Sequence, residues 1–467
     1  MWLTIFNLLL FTSNGLGLLL AEELKPEQVH LAIGDETSSI TVTWVTQRPT
    51  PNSIVIYSSG VESQEANGFQ VKFVDGGPEK REFYIHRVFL KSLKPNNIYH
   101  YICGSNAGWS QTFTFRVLPD HQNWSPRLVV FGDMGITNNV ALPELIREVK
   151  EMDSFDVVLH VGDFAYNMDT DNARVGDTFM RQIEPIAAHV PYMTAVGNHE
   201  VAYNFSNYKA RFSMPGGDGE SQFYSFNLGP AHIIGFSSEV YYYLYHGWRP
   251  VVNQYEWLQK DLEEANRPEN RRARPWIIVM AHRPMYCSNN DDPMHCDNVD
   301  NIVRIGFYYE ENGTRGYYMG LEELFYKNGV DLIIAAHEHS YERFWPVYNR
   351  TVCNASAENP YVNPPAPVHI VTGSAGCSEG VDPFTPGGQP WSAFRSDEYG
   401  FTRMYILNGT HLTVEQVSAE QEHVGKVIDS FTVVNHNHGP NQFTCHVQVD
   451  FDNIPWTPLQ PALELFR

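Results

Sequence analysis

A chain of 467 residues, 43% hydrophobic and only 18% charged, is long enough for two domains and too apolar to be disordered. Its formal charge of −22 argues against a nucleic-acid backbone as partner, because like charges repel. Protonating all 19 histidines would lift that charge to −3, so an anionic substrate would meet less repulsion in an acidic medium.

Residues 1–21 read as a secretory signal. The first twenty carry no charged side chain, Leu8–Phe11 and Leu16–Leu20 are apolar, and small Ala21 precedes Glu22 and Glu23. Ser13, Asn14 and Gly15 interrupt the apolar stretch, which disfavours a permanent anchor, and no later segment is long and apolar enough to span a bilayer. The expectation is a secreted or lysosomal protein with no stable membrane association. Glycosylation sequons at Asn123, Asn204, Asn312, Asn349, Asn354 and Asn408 agree with export. So does an even count of cysteines: Cys103, Cys287, Cys296, Cys353, Cys377 and Cys445. Cys287 with Cys296, and Cys353 with Cys377, are the pairs expected on proximity in the chain. Connectivity stays open, as do free buried thiols.

From 26 to 118 the chain predicts only strands. Alternating runs at Ser39–Val45, Ser53–Tyr57, Phe83–Leu90, Ile98–Cys103 and Gln111–Val117 are separated by Gly, Pro and Asn clusters. A fibronectin III-like β-sandwich is the natural architecture. Pro119 to Pro126 reads as a linker. Over 125–435, apolar runs at Leu128–Phe131, Val157–Val161, Tyr192–Val196, Ile277–Ala281 and Leu332–Ala336 lack polar alternation, as strands covered on both faces do. Helical periodicity falls between them at Ala141–Met152, Tyr255–Ala265 and Met319–Asn328. The chain as a whole reads as α+β/α/β, a sandwich followed by an α/β domain. Residues 436–467 read as a closing strand or a tail. His436 and His438 lie there without a supporting shell and are not assigned.

The chemistry sits where each apolar run ends. The endings are Gly132-Asp133-Met134-Gly135, Gly162-Asp163-Phe164-Ala165-Tyr166, Gly197-Asn198-His199-Glu200, His282, and His337-Glu338-His339. Each alone is weak: a Gly-Asp pair is often a turn, and one strand-end histidine is often structural. Five strands each delivering an oxygen or nitrogen ligand at the carboxyl end, where open α/β sheets bind ligands, point to a metal site.

This ordered set resembles the purple acid phosphatases, which are binuclear metallophosphoesterases. The similarity runs from about residue 27 to 430, includes Val42-Thr43-Trp44-Val45-Thr46 and Tyr341-Glu342-Arg343, and follows the larger, plant-like layout. The resemblance implies a metallophosphoesterase domain of two β-sheets flanked by helices. It implies that Asp133, Tyr166 and His339 bind a first metal, ferric iron. Asn198, His282 and His337 would bind a second, which is zinc, ferrous iron or manganese, and Asp163 would bridge the two. A Tyr166 phenolate on ferric iron would give the family's colour. The family usually has Gly where this chain has Ala336, and a positive φ there would put the second site in doubt.

The implied reaction is hydrolysis of small phosphate monoesters by a metal-activated hydroxide, with no covalent enzyme intermediate. No Gly-x-Ser-x-Gly signature or P-loop is present. His199 and His295 are the candidate proton donors to the leaving alcohol, and Glu200 an orienting residue. A phosphodiesterase or nucleotide pyrophosphatase on the same scaffold is the alternative enzyme. An inactivated secreted binding protein is the non-enzymatic one, disfavoured because all seven ligand positions hold suitable residues. Monomer or homodimer is left open.

Overall fold

The protein is described by a computed structural model covering residues 22–447 apart from 37, 291–297, 312–313, 354–357 and 446. Residues 1–21, read above as a signal, His295, Cys296, the sequons at Asn312 and Asn354, and the end of the tail lie outside the described residues.

The N-terminal strands are β1 (Glu27–Ile33), β2 (Ile40–Thr46), β3 (Ile54–Ser58), β4 (Gln64–Asn67), β5 (Phe69–Val74), β6 (Glu82–Leu90), β7 (Ile98–Ser105), β8 (Gly108–Trp109) and β9 (Phe113–Arg116). They make two antiparallel sheets, β1-β2-β6-β5 and β4-β3-β7-β8, with β9 on β7. Val29, Leu31, Val42, Trp44, Val55, Val88, Tyr99, Tyr101 and Phe115 fill the space between them. This is the sandwich expected from the alternating runs.

Beyond the linker come β10 (Arg127–Phe131), β11 (Val157–Val161), β12 (Tyr192–Ala195), β13 (Tyr224–Leu228), β14 (Ala231–Gly235), β15 (Trp276–Met280), β16 (Gly306–Glu311), β17 (Thr314–Met319), β18 (Leu332–Ala335), β19 (Tyr341–Phe344), β20 (Val347–Tyr348), β21 (Thr351–Val352), β22 (Val368–Thr372), β23 (Ser392–Ser396), β24 (Gly400–Ile406), β25 (His411–Ser418) and β26 (Val427–Val434). Two mixed sheets dominate, ordered β12-β11-β10-β24-β25-β26 and β13-β14-β15-β18-β22-β19-β23. Strands β10 to β12 run parallel in the first, and β14, β15, β18 and β22 run parallel in the second.

The missing polar alternation has a direct cause. On β15 and β18, Ile278, Met280, Leu332 and Ile334 face the core shared with the other sheet. Their neighbours Ile277, Val279, Ile333 and Ala335 face Leu258 and Leu262 of helix Arg249–Ala265 and Phe325 of helix Leu321–Lys327. Both faces are buried, so both are apolar. The helix expected over Ala141–Met152 is an α-helix at Leu142–Arg147 that widens into a π-turn at Glu148–Met152.

The sandwich is bolted to the α/β domain by buried polar contacts. Arg211 donates to Asp177 Oδ1 at 2.9 Å and to Gln28 Oε1 at 3.0 Å, and Arg81 reaches Asp177 from the sandwich side. Tyr101 donates its hydroxyl to the Ala188 carbonyl at 2.8 Å.

The cysteine expectation is corrected in part. Cys353 pairs with Cys445, not with Cys377, which is free and buried. Proximity in the chain misled because residues 436–445 fold back onto the helix Leu321–Lys327 and the loop before β22: Asn441 N donates to Lys327 O, the Tyr326 hydroxyl to Cys445 O, and Cys445 N to Pro365 O. Cys287 is disulfide-bonded; Cys296, its expected partner, lies outside the described residues. Among the described residues, no helix is long and apolar enough to cross a membrane.

Candidate metal centre

All five motif endings leave the carboxyl ends of parallel strands. Asp133, Asp163 with Tyr166, and Asn198 follow β10, β11 and β12 of one sheet. His282 and the His337–His339 pair follow β15 and β18 of the other. The sheets meet here: Gly132 N donates to the Thr372 carbonyl at the end of β22, at 2.9 Å.

Two groups of donors converge. In the first, the Tyr166 hydroxyl lies 2.8 Å from His339 Nε2 and 3.3 Å from Asp133 Oδ1, and His339 Nε2 is 3.6 Å from the same Asp133 oxygen. In the second, His282 Nε2 lies 3.0 Å from Asn198 Oδ1 and 3.1 Å from Asp163 Oδ2. Ligand atoms of Asp163, His282 and His337 all fall within 4.8 Å of one another.

The histidines are held in the orientation that ligation needs. His282 Nδ1 is 2.9 Å from the Val161 carbonyl and His339 Nδ1 is 3.0 Å from that of Gly380, so each Nδ1 donates to a carbonyl and each Nε2 is turned towards the centre. Asp382 also takes the backbone N–H of His339.

Two carboxylates, Asp133 and Asp163, are buried side by side. Burial lifts Asp133 well above the usual carboxylate range, with His282 opposing and the Asp163 charge reinforcing. Burial lifts Asp163 too, but His282 overcomes it and holds that carboxyl below the usual range. His282 in turn is resisted by burial and raised by Asp163 to about 10. Burial first, then the two carboxylates, push the Tyr166 phenol well up, so it keeps its proton unless a cation takes its oxygen. Buried acids crowded with imidazole nitrogens and an amide oxygen, with a proton on His282 standing where a cation would sit, fit a pair of hard or borderline cations.

His199 stands at the edge. Its ring lies 4.4 Å from that of Tyr166, Nδ1 is 3.0 Å from Asn167 Oδ1, and Nε2 is 3.6 Å from Glu379 Oε1 and 3.9 Å from Asp163 Oδ2. His295 falls outside the described residues. Glu200 does not touch the His199 side chain. It accepts the backbone N–H groups of Asp163, Phe164 and Gly197, each at 3.0 Å, and so ties the second motif to the third.

Ala336 is not strained. The positive φ of this segment, 72°, falls on His337. The Ala336 methyl is accommodated because residue 132 opposite has none: a Cβ on Gly132 would come within 2.5 Å of it.

Sequence reasoning did not find Asn167, Glu379, Asp382, Cys377 or Arg283. Cys377 Sγ lies 3.5 Å from His339 Nδ1, and Arg283 Nη1 lies 2.9 Å from His337 Nε2. None belongs to a motif. Arg283 and Asn167 had one signal, their positions directly after a strand-end histidine and after Tyr166.

Three family models match in succession: the N-terminal domain of purple acid phosphatases at 26–117, calcineurin-like phosphoesterase at 126–341, and the C-terminal part of iron/zinc purple acid phosphatase-like proteins at 366–430. The chain is 54% identical to the human acid phosphatase type 7 over 93% of its own length and 96% of the relative's. The zebrafish (Danio rerio) protein of the same name is 53% identical over 89% and 93%. A purple acid phosphatase isolated from yellow lupin seeds superposes with a TM-score of 0.72 at 25% identity, over 91% of this chain and 78% of that one. Likeness of this depth along almost the whole length, together with the strand-end donors, leaves one conclusion: the chain belongs to the purple acid phosphatase family of phosphoesterases.

Proposed function

We propose that this protein is a secreted acid phosphatase that hydrolyses small phosphate monoesters at a binuclear centre. Asp133, Tyr166 and His339 would hold ferric iron, Asn198, His282 and His337 would hold zinc, ferrous iron or manganese, and Asp163 would bridge them. The observation that carries this reading is the Tyr166 hydroxyl set between His339 and Asp133, one residue cluster away from a second donor group built on Asp163.

Bound there, two cations would neutralise phosphate charge and acidify water. The chain's own residues do the rest. Asp163 and Asp133 supply the anionic charge that holds the cations. The backbone clamp made by Glu200 fixes Asp163 and Asn198 relative to each other. His199 is fixed at Nδ1 by Asn167 and presents Nε2 towards the cleft, where an imidazolium proton can pass to the leaving alcohol. The Cys353–Cys445 disulfide supports an oxidising compartment, and the −22 charge argues against nucleic acid as partner.

The test is a visible spectrum and a metal count on protein purified without chelator, followed by assays on mono- and diester substrates. Two metals per chain, a broad visible band lost in Tyr166→Phe, and preference for monoesters are expected. A colourless protein holding two metals overturns the ferric assignment. A preference for diesters overturns the substrate assignment, and a protein that takes up no metal overturns the enzyme.

A further inference from the structure

Arg283 sits against the centre with its guanidinium already fixed. Its backbone N–H donates to Ser238 Oγ at 2.8 Å, its Nε donates to Glu239 Oε2 at 3.1 Å, and the guanidinium carbon lies 4.5 Å over the Tyr242 ring. The Glu239 side chain is 0% exposed and that of Arg283 7%. One arm is directed elsewhere: Nη1 lies 2.9 Å from His337 Nε2.

That last contact cannot coexist with a metal on His337. A guanidinium only donates, so the contact needs a lone pair on Nε2. If His337 ligates through Nε2, the lone pair belongs to the metal. If it ligates through Nδ1, Nε2 of the neutral ring carries the hydrogen, and two donors face each other. Either way Nη1 loses this acceptor, while Glu239, Tyr242 and the Tyr243 side chain, which is hydrogen-bonded to Arg283, keep the guanidinium beside the centre. The acceptor that the reaction brings to this place is an oxyanion, and a planar fork of N–H donors matches phosphate oxygens.

We propose that Arg283 is a phosphate-binding residue of this centre, positioned by Glu239 and Tyr242 and donating from its terminal nitrogens to a non-bridging oxygen of the phosphoryl group. The proposal rests on the phosphatase reading above. It adds a fixed cation to the neutralisation of the substrate, supplied by the chain itself.

The experiment is the affinity of the full-length holoenzyme for inorganic phosphate, measured by calorimetry beside a metal count and a melting curve. Arg283→Met is expected to keep two metals and weaken phosphate binding by about 10- to 100-fold, the worth of a charge-assisted hydrogen bond. Arg283→Lys should recover part of the loss, and Glu239→Gln should weaken binding in the same direction by releasing the guanidinium. Unchanged phosphate affinity with full metal content in Arg283→Lys and Glu239→Gln overturns the proposal. Loss of metal in every variant also overturns it, making Arg283 a support for His337 alone. If Arg283→Met does not fold, the other two variants decide. A wild-type protein that binds neither metal nor phosphate would remove the phosphatase reading itself, a result distinguishable from failure of the Arg283 assignment.

Discussion

Glu200 illustrates how a residue next to a ligand can matter without touching the chemistry. Burial, then the nearby Asp163 charge, pushes its carboxyl up to about 8, while three backbone N–H donors favour its ionised form. Glu200→Gln puts an N–H2 where acceptors are needed. Metal affinity, read by chelator competition, is expected to fall about 10- to 100-fold, as it does when groups behind metal ligands are changed. Gly197→Ala is a harsher test of the same turn, because the new methyl would lie 2.2 Å from Asp163 Oδ1. Under the proposed bridge by Asp163, metal analysis should find both cations depleted in that variant; loss of only one would argue against the bridge.

Strands that end in ligands were legible because burial on both faces writes an uninterrupted apolar run, and because each run stops at a Gly, Asp, Asn or His. Other strands left weaker traces. β4 and β5 have Gln64, Glu65, Asn67, Phe69 and Lys72 exposed, so no apolar face marks them. β24 to β26 extend the first sheet antiparallel, with polar residues such as Gln416 and Thr402 buried by hydrogen bonds to each other. The supporting residues Asn167, Glu379 and Arg283 could not be read from spacing, since chain folding alone brings them together. The same holds for the join between the domains. Burial raises Asp177, but Arg211 and Arg81 overcome this and hold its carboxyl below the usual range. Asp177→Ala leaves Arg211 buried without its counter-charge, and urea unfolding should show a loss of about 3–5 kcal/mol. Cys445→Ser opens a bridge between residues 92 apart in sequence, and should cost about 2–5 kcal/mol in the same assay while leaving the metal count unchanged.

A protein proposed to work in acid also carries groups that resist acid. His30 and His86 are each pushed down to about 4 by burial, which for His30 outweighs two carbonyl contacts, and His160 and His369 to about 3. These four stay neutral where exposed histidines gain a proton, so the formal charge does not reach −3 in a mildly acidic medium. In the unfolded chain they bind protons near pH 6.5, before the folded chain does. The share of stability carried by these four histidines is therefore full above about pH 6.5 and falls as pH drops towards 4, while the raised carboxyls of Glu200 and Glu342 contribute with the opposite sign, and the Asp177 contribution is lost at still lower pH. Melting temperature against pH for the wild type and for His86→Gln isolates one such share: the advantage of the wild type should shrink as pH falls from 7 to 4, and an advantage that stays constant would contradict the burial argument.

The placement of the donors has a mechanical consequence. Each trio draws on both sheets: Asp133 and Tyr166 from one with His339 from the other, and Asn198 from one with His282 and His337 from the other. A cation seated in either trio is thus a rivet through the seam between two layers, and the spacing of the pair is set by how those layers are clamped. Stripping the cations should loosen the seam first, with hydrogen exchange quickening at the ends of β10, β11, β15 and β18 while the far ends of the same strands stay closed.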